Sequence, residues 1–299
     1  MNTRKDKYDI SGKVHIREGE EKIHAMMEDY EGVIIWDLPS QIRNRYLKYC
    51  FSHSIRCYMS PKISDIILLG TDRIHLFDTP LLMCRNQGLS MEQRAAKRVL
   101  DIIVSGLGII VSSPIMLIIA IAVKAYDGGP VFYLQDRLTY QGKEFRIRKF
   151  RSMCVDSEKN GARLASKHDS RITPVGHVLR NLHLDELPQL FNVFMGDMSL
   201  VGPRPERDVI MQEYEQEIPE FHYRLKVKAG LTGYAQVYGK YNTTPYDKLK
   251  LDLFYIENYS FLLDIKLLFM TVKIFFQKEV SEGVDDNQKN ALKDSEDKK

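Results

Sequence analysis

The chain has 299 residues, of which 44% are hydrophobic and 28% charged, and its net charge is +3. This composition is typical of a folded protein with one large domain or two modest ones. A net charge this small gives no reason to expect a nucleic-acid partner. The four cysteines have neither metal-ligand spacing nor the pattern of a small disulfide-rich domain, which favours reduced thiols in the cytosol.

The N-terminal region, to about Arg94, has the pattern of a small α/β layer. Short apolar runs at Gly32–Trp36 and Asp65–Leu69 predict buried strands. Between them, Ser40–Phe51 carries the apolar face of a helix, and the order strand, helix, strand predicts parallel pairing. Neither run is followed by a glycine-rich phosphate loop, so we interpret this region as a scaffold.

A membrane-associated segment is predicted at Val99–Val123, which contains no charged residue after Asp101. As one straight helix it would extend about 38 Å, enough to cross a bilayer core of about 30 Å. The cations on either side of it, Lys97, Arg98 and Lys124, are consistent with both ends lying on the cytoplasmic side.

Pro114 lies near the middle of this segment and predicts a kink. Proline removes a backbone donor and clashes with the preceding turn, and the hydroxyls of Ser112 and Ser113 can donate to the carbonyls that are freed. Each half alone is too short to cross a bilayer. The segment therefore either enters and leaves on one face or spans the membrane with a proline kink, and both interpretations stay open at this point.

Beyond Pro130 the pattern predicts a hairpin followed by helices. The strands of the hairpin are expected at Val131–Tyr133 and Phe145–Phe150, with a basic face. Helices are expected at Val175–Asn181, Asp185–Phe194 and Pro205–Leu225, and a loop at Gly230–Gly233. The apolar Phe261–Gln277 is expected to lie as a helix in the headgroup interface, or else to dock as a core helix. The polar tail after Val280 is expected to be disordered.

Two adjacent carboxylates, Asp185 and Glu186, are the candidate catalytic residues. Neighbouring side chains on a helix diverge by about a hundred degrees, so one carboxylate can face a substrate or a metal while the other orients it. Helix capping is the alternative role for Asp185, with Pro188 in the first turn.

Four cations are candidate ligands of phosphate: Lys149, Arg151, Arg180 and Arg204. Arg204 stands between two prolines, which stiffen the backbone that presents its planar guanidinium. Each of these residues taken alone is more often a solvated surface charge. Together with two carboxylates they favour a pocket for two phosphates and a divalent cation.

Six motifs, in this order, resemble those of the bacterial sugar transferases, the monotopic phosphoglycosyl transferases that are also called polyprenol-phosphate hexose-1-phosphate transferases. They cover roughly Glu92 to Gln277. The motifs are Lys97-Arg98-Val99-Leu100-Asp101, Ser113-Pro114, Lys149-Phe150-Arg151-Ser152-Met153, Leu184-Asp185-Glu186-Leu187-Pro188-Gln189, Gly196-Asp197-Met198-Ser199-Leu200-Val201-Gly202-Pro203-Arg204-Pro205 and Gly230-Leu231-Thr232-Gly233-Tyr234-Ala235-Gln236-Val237.

The resemblance implies transfer of a sugar phosphate from a UDP-sugar to undecaprenyl phosphate with release of UMP, which starts exopolysaccharide, capsule or other glycan assembly. It implies that Asp185 is a nucleophile that forms a covalent phosphosugar intermediate. Glu186 is then its partner acid, and both carboxylates belong to a magnesium site. The positions that it assigns to substrate phosphates are Lys149, Arg151 and Arg180, with Arg204 on the uridine-diphosphate side.

The expected fold class is therefore α/β: a membrane-anchored catalytic domain with a re-entrant broken helix and interfacial helices, after a small partial α/β region. That first region resembles the latter half of a nucleotide-binding, Rossmann-like domain. The expected boundaries are residues 1–90 for this region, 91–126 for the re-entrant helix, 127–280 for the catalytic domain and 281–299 for the disordered tail. The resemblance favours re-entrance at Pro114.

The resemblance also sets the expected surroundings of the protein. Mg²⁺ is the expected cofactor, the UDP-sugar, undecaprenyl phosphate and the membrane are the expected partners, and a homodimer is a further expectation. The expected location is the cytoplasmic face of a bacterial inner membrane. A catalytically inactive membrane scaffold of glycan assembly and a hydrolase with an aspartyl-phosphate intermediate are the alternative functions.

Overall fold

The computed structural model describes residues 9–84, 88–155, 169, 171–240 and 243–275. The chain divides after Lys62 into two compact units, which we name the N-terminal unit and the C-terminal unit. The expected tail at residues 281–299 lies outside the described residues.

The N-terminal unit is a small α/β layer on two parallel strands. It contains helix α1 (Glu20–Glu28), strand β1 (Gly32–Ile35), helix α2 (Ser40–Ser52) and strand β2 (Arg56–Met59). Strands β1 and β2 pair in parallel. The residues that form its buried core are Ile23, Met27, Ile35, Tyr46 and Cys50. A strand, a helix and a second strand with parallel pairing are found in the predicted order, but the second strand, β2, is not the one predicted.

The second strand of this pair is not where the sequence predicts it. Asp65–Leu69 lies in helix α3 (Ile63–Leu69), in the C-terminal unit, and β2 takes the place beside β1. A short apolar run cannot be assigned to a strand or a buried helix by its periodicity alone. The buried residues here are Ile63 and Ile66, which are three apart and so share one face of a helix.

The C-terminal unit is built around one long helix and a series of shorter elements. It continues after α3 with the hairpin β3 (Asp72–Leu76) and β4 (Thr79–Met83), helix α4 (Met91–Asp127), and the hairpin β5 (Phe132–Leu138) and β6 (Glu144–Phe150). Then follow α5 (Pro174–Asn181), α6 (Gln189–Met195), β7 (Ser199–Val201), α7 (Asp208–Glu217), β8 (Gly230–Thr232), α8 (Tyr234–Tyr238), α9 (Pro245–Glu257) and α10 (Phe261–Phe275).

Most of the elements predicted beyond Pro130 are confirmed, and three are wrong in part. The helix predicted at Asp185–Phe194 begins only at Gln189, as α6, after a separate 3₁₀ turn at Leu184–Glu186. The hairpin β5–β6 is antiparallel, as predicted, and α5 and α10 lie where they are expected. The predicted loop at Gly230–Gly233 instead provides β8, which pairs in parallel with β7. The helix predicted at Pro205–Leu225 is divided: α7 ends at Glu217, and 3₁₀ turns follow at Pro219–Lys226, because proline cannot continue the helical hydrogen bonding.

Helix α4 is a continuous helix of 37 residues that contains Pro114, so the break in the helix predicted at this proline is not confirmed. Ser112 Oγ donates to the carbonyl of Gly108 at 2.6 Å, and Ser113 Oγ donates to that of Ile110 at 2.8 Å. Ile110 lies four residues before Pro114, so its carbonyl is the one that the proline leaves without an amide donor. The predicted compensation is confirmed for Ser113, whereas Ser112 donates to a carbonyl that the proline does not free. By length and composition the helix could cross a membrane.

Buried charges fasten the first turns of α4 to the rest of the C-terminal unit. Lys97 Nζ donates to Asp264 Oδ2 of α10 at 2.6 Å and to the hydroxyl of Tyr255 at 3.0 Å. Asp101 Oδ1 accepts from the amide of Leu200 at 2.9 Å. Because all of these groups are buried, their pairing fixes where α4 begins relative to β7 and α10.

Arg98 fastens α4 to the end of α6. Its guanidinium donates to the carbonyls of Val193 and Phe194, each at 2.7 Å, in the last turn of that helix. The carbonyl of Val193 also accepts from the amide of Gly196 at 3.0 Å. Few amides follow the last turn of a helix, so the cation supplements the hydrogen bonding of its carbonyls and opposes the negative end of the helix dipole. Lys97 and Arg98 are therefore structural contacts and not only flanking charges.

The outward face of α4 is apolar and exposed. The exposed apolar side chains of this face include Val99, Ile103, Leu107, Ile110, Val111, Leu117, Ile118 and Ile121. Helix α10 has the same division, because Asp264 and Leu267 are buried while Leu262 and Phe269 are exposed. One side of α10 thus packs against the C-terminal unit, while its other side is apolar and exposed. Both helices make the C-terminal unit compatible with a membrane-associated domain.

Replacing Lys97 with Met should lower the free energy of unfolding by about 3–5 kcal/mol, because it leaves Asp264 buried without its cation. The double variant Lys97→Met/Asp264→Leu should recover most of that loss, since it removes both charges. Tyr255 keeps a partner in the double variant, because its hydroxyl also donates to the carbonyl of Val201 at 3.2 Å. Denaturant unfolding of the three purified proteins in detergent measures the difference. A double variant no more stable than Lys97→Met would contradict this account of the pair.

Candidate functional site

Asp185 and Glu186 lie in a single 3₁₀ turn, Leu184–Glu186, between α5 and α6. His183, directly before it, has φ of 52°, a left-handed conformation that turns the chain sharply after α5. Helix α6 begins only at Gln189, and its N-cap position is occupied by Pro188. The alternative role of Asp185 as a helix cap is therefore wrong.

The carboxylate of Asp185 is enclosed but has no hydrogen bond. The residue is 8% exposed, and within the part of the chain that the structure describes no donor bonds to either of its carboxylate oxygens. Burial raises the pKa of Asp185, and the nearby charge of Lys149 opposes that rise. An anion here would be poorly solvated, a condition that makes an oxygen reactive towards an electrophile.

Glu186 forms ion pairs with two cations. Its Oε1 accepts from Lys149 Nζ at 2.7 Å and from Arg204 Nη2 at 2.9 Å. Burial alone would raise the pKa of Glu186, but Arg204 and Lys149 outweigh it and hold this pKa far below its usual range. Glu186 is therefore anionic at every physiological pH, and it joins the hairpin strand β6 to the loop after β7.

Arg180 completes the basic surroundings of Asp185. It lies in the last turn of α5, its Nε donates to Ser152 Oγ at 2.9 Å, and its charge is among those that lower the pKa of Asp185. The structure thus brings together five of the predicted site residues: Lys149, Arg180, Asp185, Glu186 and Arg204.

Arg151, the remaining predicted phosphate ligand, has a carboxylate partner of its own. Its guanidinium makes a bidentate pair with Asp127 at the end of α4, and its Nε donates to the carbonyl of Pro130 at 2.8 Å. The side chain is 7% exposed. These contacts join the end of α4 and the residues before β5 to the residue that directly follows β6, and they engage Arg151 in the fold.

The loop that carries Arg204 is held by its backbone, a feature that the sequence did not predict. Every carbonyl from Pro203 to Glu206 accepts a hydrogen bond. The donors, in chain order of the acceptors, are Gly230 N at 2.8 Å, Arg224 Nη2 at 3.0 Å, Arg137 Nη1 at 3.1 Å and Leu138 N at 3.0 Å. Arg137 and Arg224 stand in no motif that marks them as neighbours of this loop.

Asp185 and Glu186 are the residues that could hold a divalent cation. Among the described residues, no group of three or more His, Cys, Asp or Glu side chains has the arrangement of a metal site. Mg²⁺ is usually held by one or two carboxylates, and waters and substrate phosphates complete its octahedron. The two carboxylates fit the protein's share of such a site, since Asp185 has oxygens without hydrogen bonds.

The residues of this site lie in a part of the chain that matches a known protein family. The family model described as "Bacterial sugar transferase" matches residues 92–278, which include all five residues gathered at the site. The UDP-N-acetylgalactosamine-undecaprenyl-phosphate N-acetylgalactosaminephosphotransferase of Aeromonas hydrophila is 44% identical over 232 residues, which are 77% of this chain and 54% of that protein.

Two further relatives have related names. The UDP-glucose:undecaprenyl-phosphate glucose-1-phosphate transferase of Klebsiella pneumoniae is 38% identical over 262 residues, 84% of this chain and 54% of its own length. The protein with the same name from Escherichia coli is 40% identical over 208 residues, 68% of this chain and 43% of its own length. The chain thus spans about half the length of the curated relatives that it matches. Because the family model covers more than half of the chain and includes the whole carboxylate and cation cluster, the chain belongs to the bacterial sugar transferase family.

Proposed function

We propose that this chain is a phosphoglycosyl transferase that moves a sugar 1-phosphate from a UDP-sugar to undecaprenyl phosphate and releases UMP. The names of three similar proteins support the reaction, since each pairs a UDP-sugar with undecaprenyl phosphate. The observation that carries the proposal is Asp185, a buried carboxylate without a hydrogen bond, next to a glutamate that gathers two cations.

In the first step an oxygen of Asp185 attacks the phosphorus that bears the sugar. A bond forms between that oxygen and phosphorus, the bond from phosphorus to the UMP oxygen breaks, and UMP leaves with the electron pair. The scarcity of hydrogen bonds to Asp185 favours this attack, because little solvation is lost as the oxygen approaches.

In the second step a phosphate oxygen of undecaprenyl phosphate attacks the same phosphorus. The bond to Asp185 breaks, and the carboxylate is restored while the lipid gains a sugar on a diphosphate. Two displacements at one centre divide a difficult transfer into two steps, and they let the nucleotide leave before the lipid acceptor enters.

The cations bind and orient the phosphates. Arg204 offers a planar fork from the rigid loop, suited to the diphosphate of the UDP-sugar, while Lys149 and Arg180 lie on the side of Asp185. Glu186 keeps Lys149 and Arg204 in place before the substrate arrives. A Mg²⁺ ion held by Asp185 and Glu186 would neutralise part of the diphosphate charge.

The contacts of α4 support a re-entrant anchor in place of a spanning one. Its start is fixed by Lys97 and Asp101, and its last turns pack through Ile119 and Val123 against the same C-terminal unit. The two ends of a helix that crosses a bilayer core of about 30 Å lie on opposite sides, and one soluble unit could not hold both. The anchor would then place Asp185 at the cytoplasmic face of the inner membrane, where exopolysaccharide or other glycan assembly begins.

Asp185→Asn should abolish UMP release while the protein still folds and still associates with membranes. Asn has nearly the same shape but is a poor nucleophile towards phosphorus. The measurement is UMP release and lipid-linked product from a panel of UDP-sugars, with purified protein, undecaprenyl phosphate and Mg²⁺.

The panel also separates the alternative functions. Turnover that requires the lipid supports the transferase, and activity of Asp185→Asn equal to wild type would exclude Asp185 as the nucleophile. A wild-type protein that releases no UMP from any UDP-sugar would favour a scaffold. Free sugar phosphate formed without lipid would favour a hydrolase.

Arg204→Lys should raise the apparent KM for the UDP-sugar by about tenfold or more, because a point charge replaces a bidentate fork. The apparent KM for undecaprenyl phosphate should stay within about twofold of wild type. Initial rates measured while each substrate is varied in turn give both constants. An effect confined to the lipid acceptor would mean that Arg204 serves the other substrate.

Single cysteines at Met91 and Tyr126 should both be protected from an impermeant thiol reagent in intact cells and react after lysis. These two positions are exposed and stand near the two ends of α4, and the re-entrant anchor places both in the cytoplasm. The four native cysteines are replaced first. Labelling of only one of the two positions in intact cells would indicate a spanning helix, and the monotopic arrangement would then be wrong.

A further inference from the structure

A buried ion pair lies behind the loop that carries Arg204, and no step of the proposed reaction uses it. Arg224 of the 3₁₀ turns and Asp252 of α9 are 4% and 1% exposed. Nε and Nη2 of Arg224 lie 3.0 Å and 2.8 Å from Asp252 Oδ2. The face of the guanidinium lies over the ring of Phe221, 4.9 Å from its centroid. The orientation of Arg224 is therefore fixed on two sides.

The guanidinium of Arg224 also contacts the loop that carries Arg204. Arg224 Nη2 donates to the carbonyl of Arg204 at 3.0 Å, and its Nη1 lies 3.5 Å from Glu206 Oε1. On the other side of Glu206, Arg137 Nη1 donates to the carbonyl of Pro205 at 3.1 Å. Two arginines thus hold the backbone directly after the Cα of Arg204.

The side chain of Arg204 depends on this backbone anchor more than on packing. It is 50% exposed, and its contact at the site is the hydrogen bond from Nη2 to Glu186 Oε1. A long side chain in this state has several rotamers, and the backbone at its base sets which of them can reach Glu186. Small movements of the loop therefore become larger movements of the guanidinium.

Stability alone is a weak reason for a buried pair of this kind. Replacing a buried ion pair with apolar residues of similar volume is often neutral or stabilising, because the charges lose their hydration. An apolar pair, however, could not donate to the carbonyl of Arg204. The contact between Arg224 and that carbonyl is thus the feature for which the charged pair is needed.

We propose that Arg224 and Asp252 are positioning residues for the nucleotide step: Asp252 orients Arg224, and Arg224 holds the Arg204 backbone so that the Arg204 guanidinium meets the diphosphate of a UDP-sugar. This inference rests on the proposed function and names two residues that act on its nucleotide side. Neither residue contacts Asp185, and each acts through Arg204.

The experiment is a double-variant comparison on UMP release from whichever of UDP-glucose and UDP-N-acetylgalactosamine the wild-type protein turns over. Arg224→Lys keeps a cation for Asp252 but loses the planar fork that reaches both the carboxylate and the carbonyl. It should raise the KM for the UDP-sugar by about tenfold, the effect of losing one charge-assisted hydrogen bond. The KM for undecaprenyl phosphate should change by less than about twofold.

Combination with Arg204→Ala separates positioning from a general effect on folding. If Arg224 acts through Arg204, adding Arg224→Lys to Arg204→Ala should change kcat/KM by less than about twofold, because the group being positioned is already gone. Asp252→Asn should behave in the same way in both backgrounds, and it tests the second member of the pair independently.

Asp264→Asn is the matched control. Asp264 is also a buried aspartate paired with one cation, Lys97, but it lies on α10 and contacts no part of the Arg204 loop. Its effect on kcat/KM should be the same factor with and without Arg204→Ala. Suppose instead that Arg224→Lys and Asp252→Asn also lower kcat/KM by the same factor with and without Arg204→Ala. The inference is then overturned, while the proposed function stands. If the wild-type protein turns over neither nucleotide sugar, the comparison is made with another UDP-sugar of the panel that it does turn over. Release of UMP from none of them would overturn the proposed function, and the inference with it.

Discussion

The carboxylate of Glu186 is the contact on which the arrangement of the site depends. It receives Lys149 from a hairpin strand and Arg204 from a proline-bounded loop at one oxygen, so it joins two elements that share no backbone pairing in this region. A single anion that pairs with two cations offsets their mutual repulsion and holds both of them beside Asp185. Phosphates can then replace part of that role, because an anionic substrate offers the same cations a second acceptor. Asp185, which we propose as the nucleophile, is left without a hydrogen bond from any described residue.

Paired charges also fix the position of α4, the helix that carries the apolar face. Lys97, Arg98 and Asp101 are polar residues at the start of an otherwise apolar helix, and each finds a defined partner in the C-terminal unit. Burial of each charge without such a partner would cost several kcal/mol of folding free energy. These contacts therefore determine the position at which α4 packs against the C-terminal unit. One side of α4 is thereby committed to protein, and its other side remains apolar and exposed. The contacts at both ends of α4 are the observation on which the proposed re-entrant anchor rests.

Sequence patterns predicted the elements that are stabilised by nearby residues, and missed those that depend on distant partners. The strand pattern beyond Pro130 predicted the hairpin β5–β6. The serines before Pro114 predicted that a hydroxyl would satisfy a freed carbonyl, as Ser113 does for Ile110. The run at Asp65–Leu69 was assigned to a strand because five apolar-rich residues fit the period of either a strand or a helix. Gly230 and Gly233 indicated a loop and so concealed strand β8, which forms only by pairing with β7. Motifs located Asp185, Glu186 and Arg204. Arg224 and Asp252 are 28 residues apart in the sequence, and nothing local marks two such residues as a pair.

The central claim is that Asp185 becomes covalently attached to the sugar phosphate, and mass spectrometry tests it most directly. Wild-type protein is mixed with a UDP-sugar and Mg²⁺ without any lipid acceptor, then quenched, digested and mapped. The account predicts one equivalent of UMP and a hexose-phosphate adduct on the peptide that contains Asp185. Addition of undecaprenyl phosphate before the quench should remove the adduct and yield the lipid-linked sugar. UMP formed only when the lipid is present, with no adduct on that peptide at any time, would contradict the two-step mechanism and support direct transfer between the two substrates.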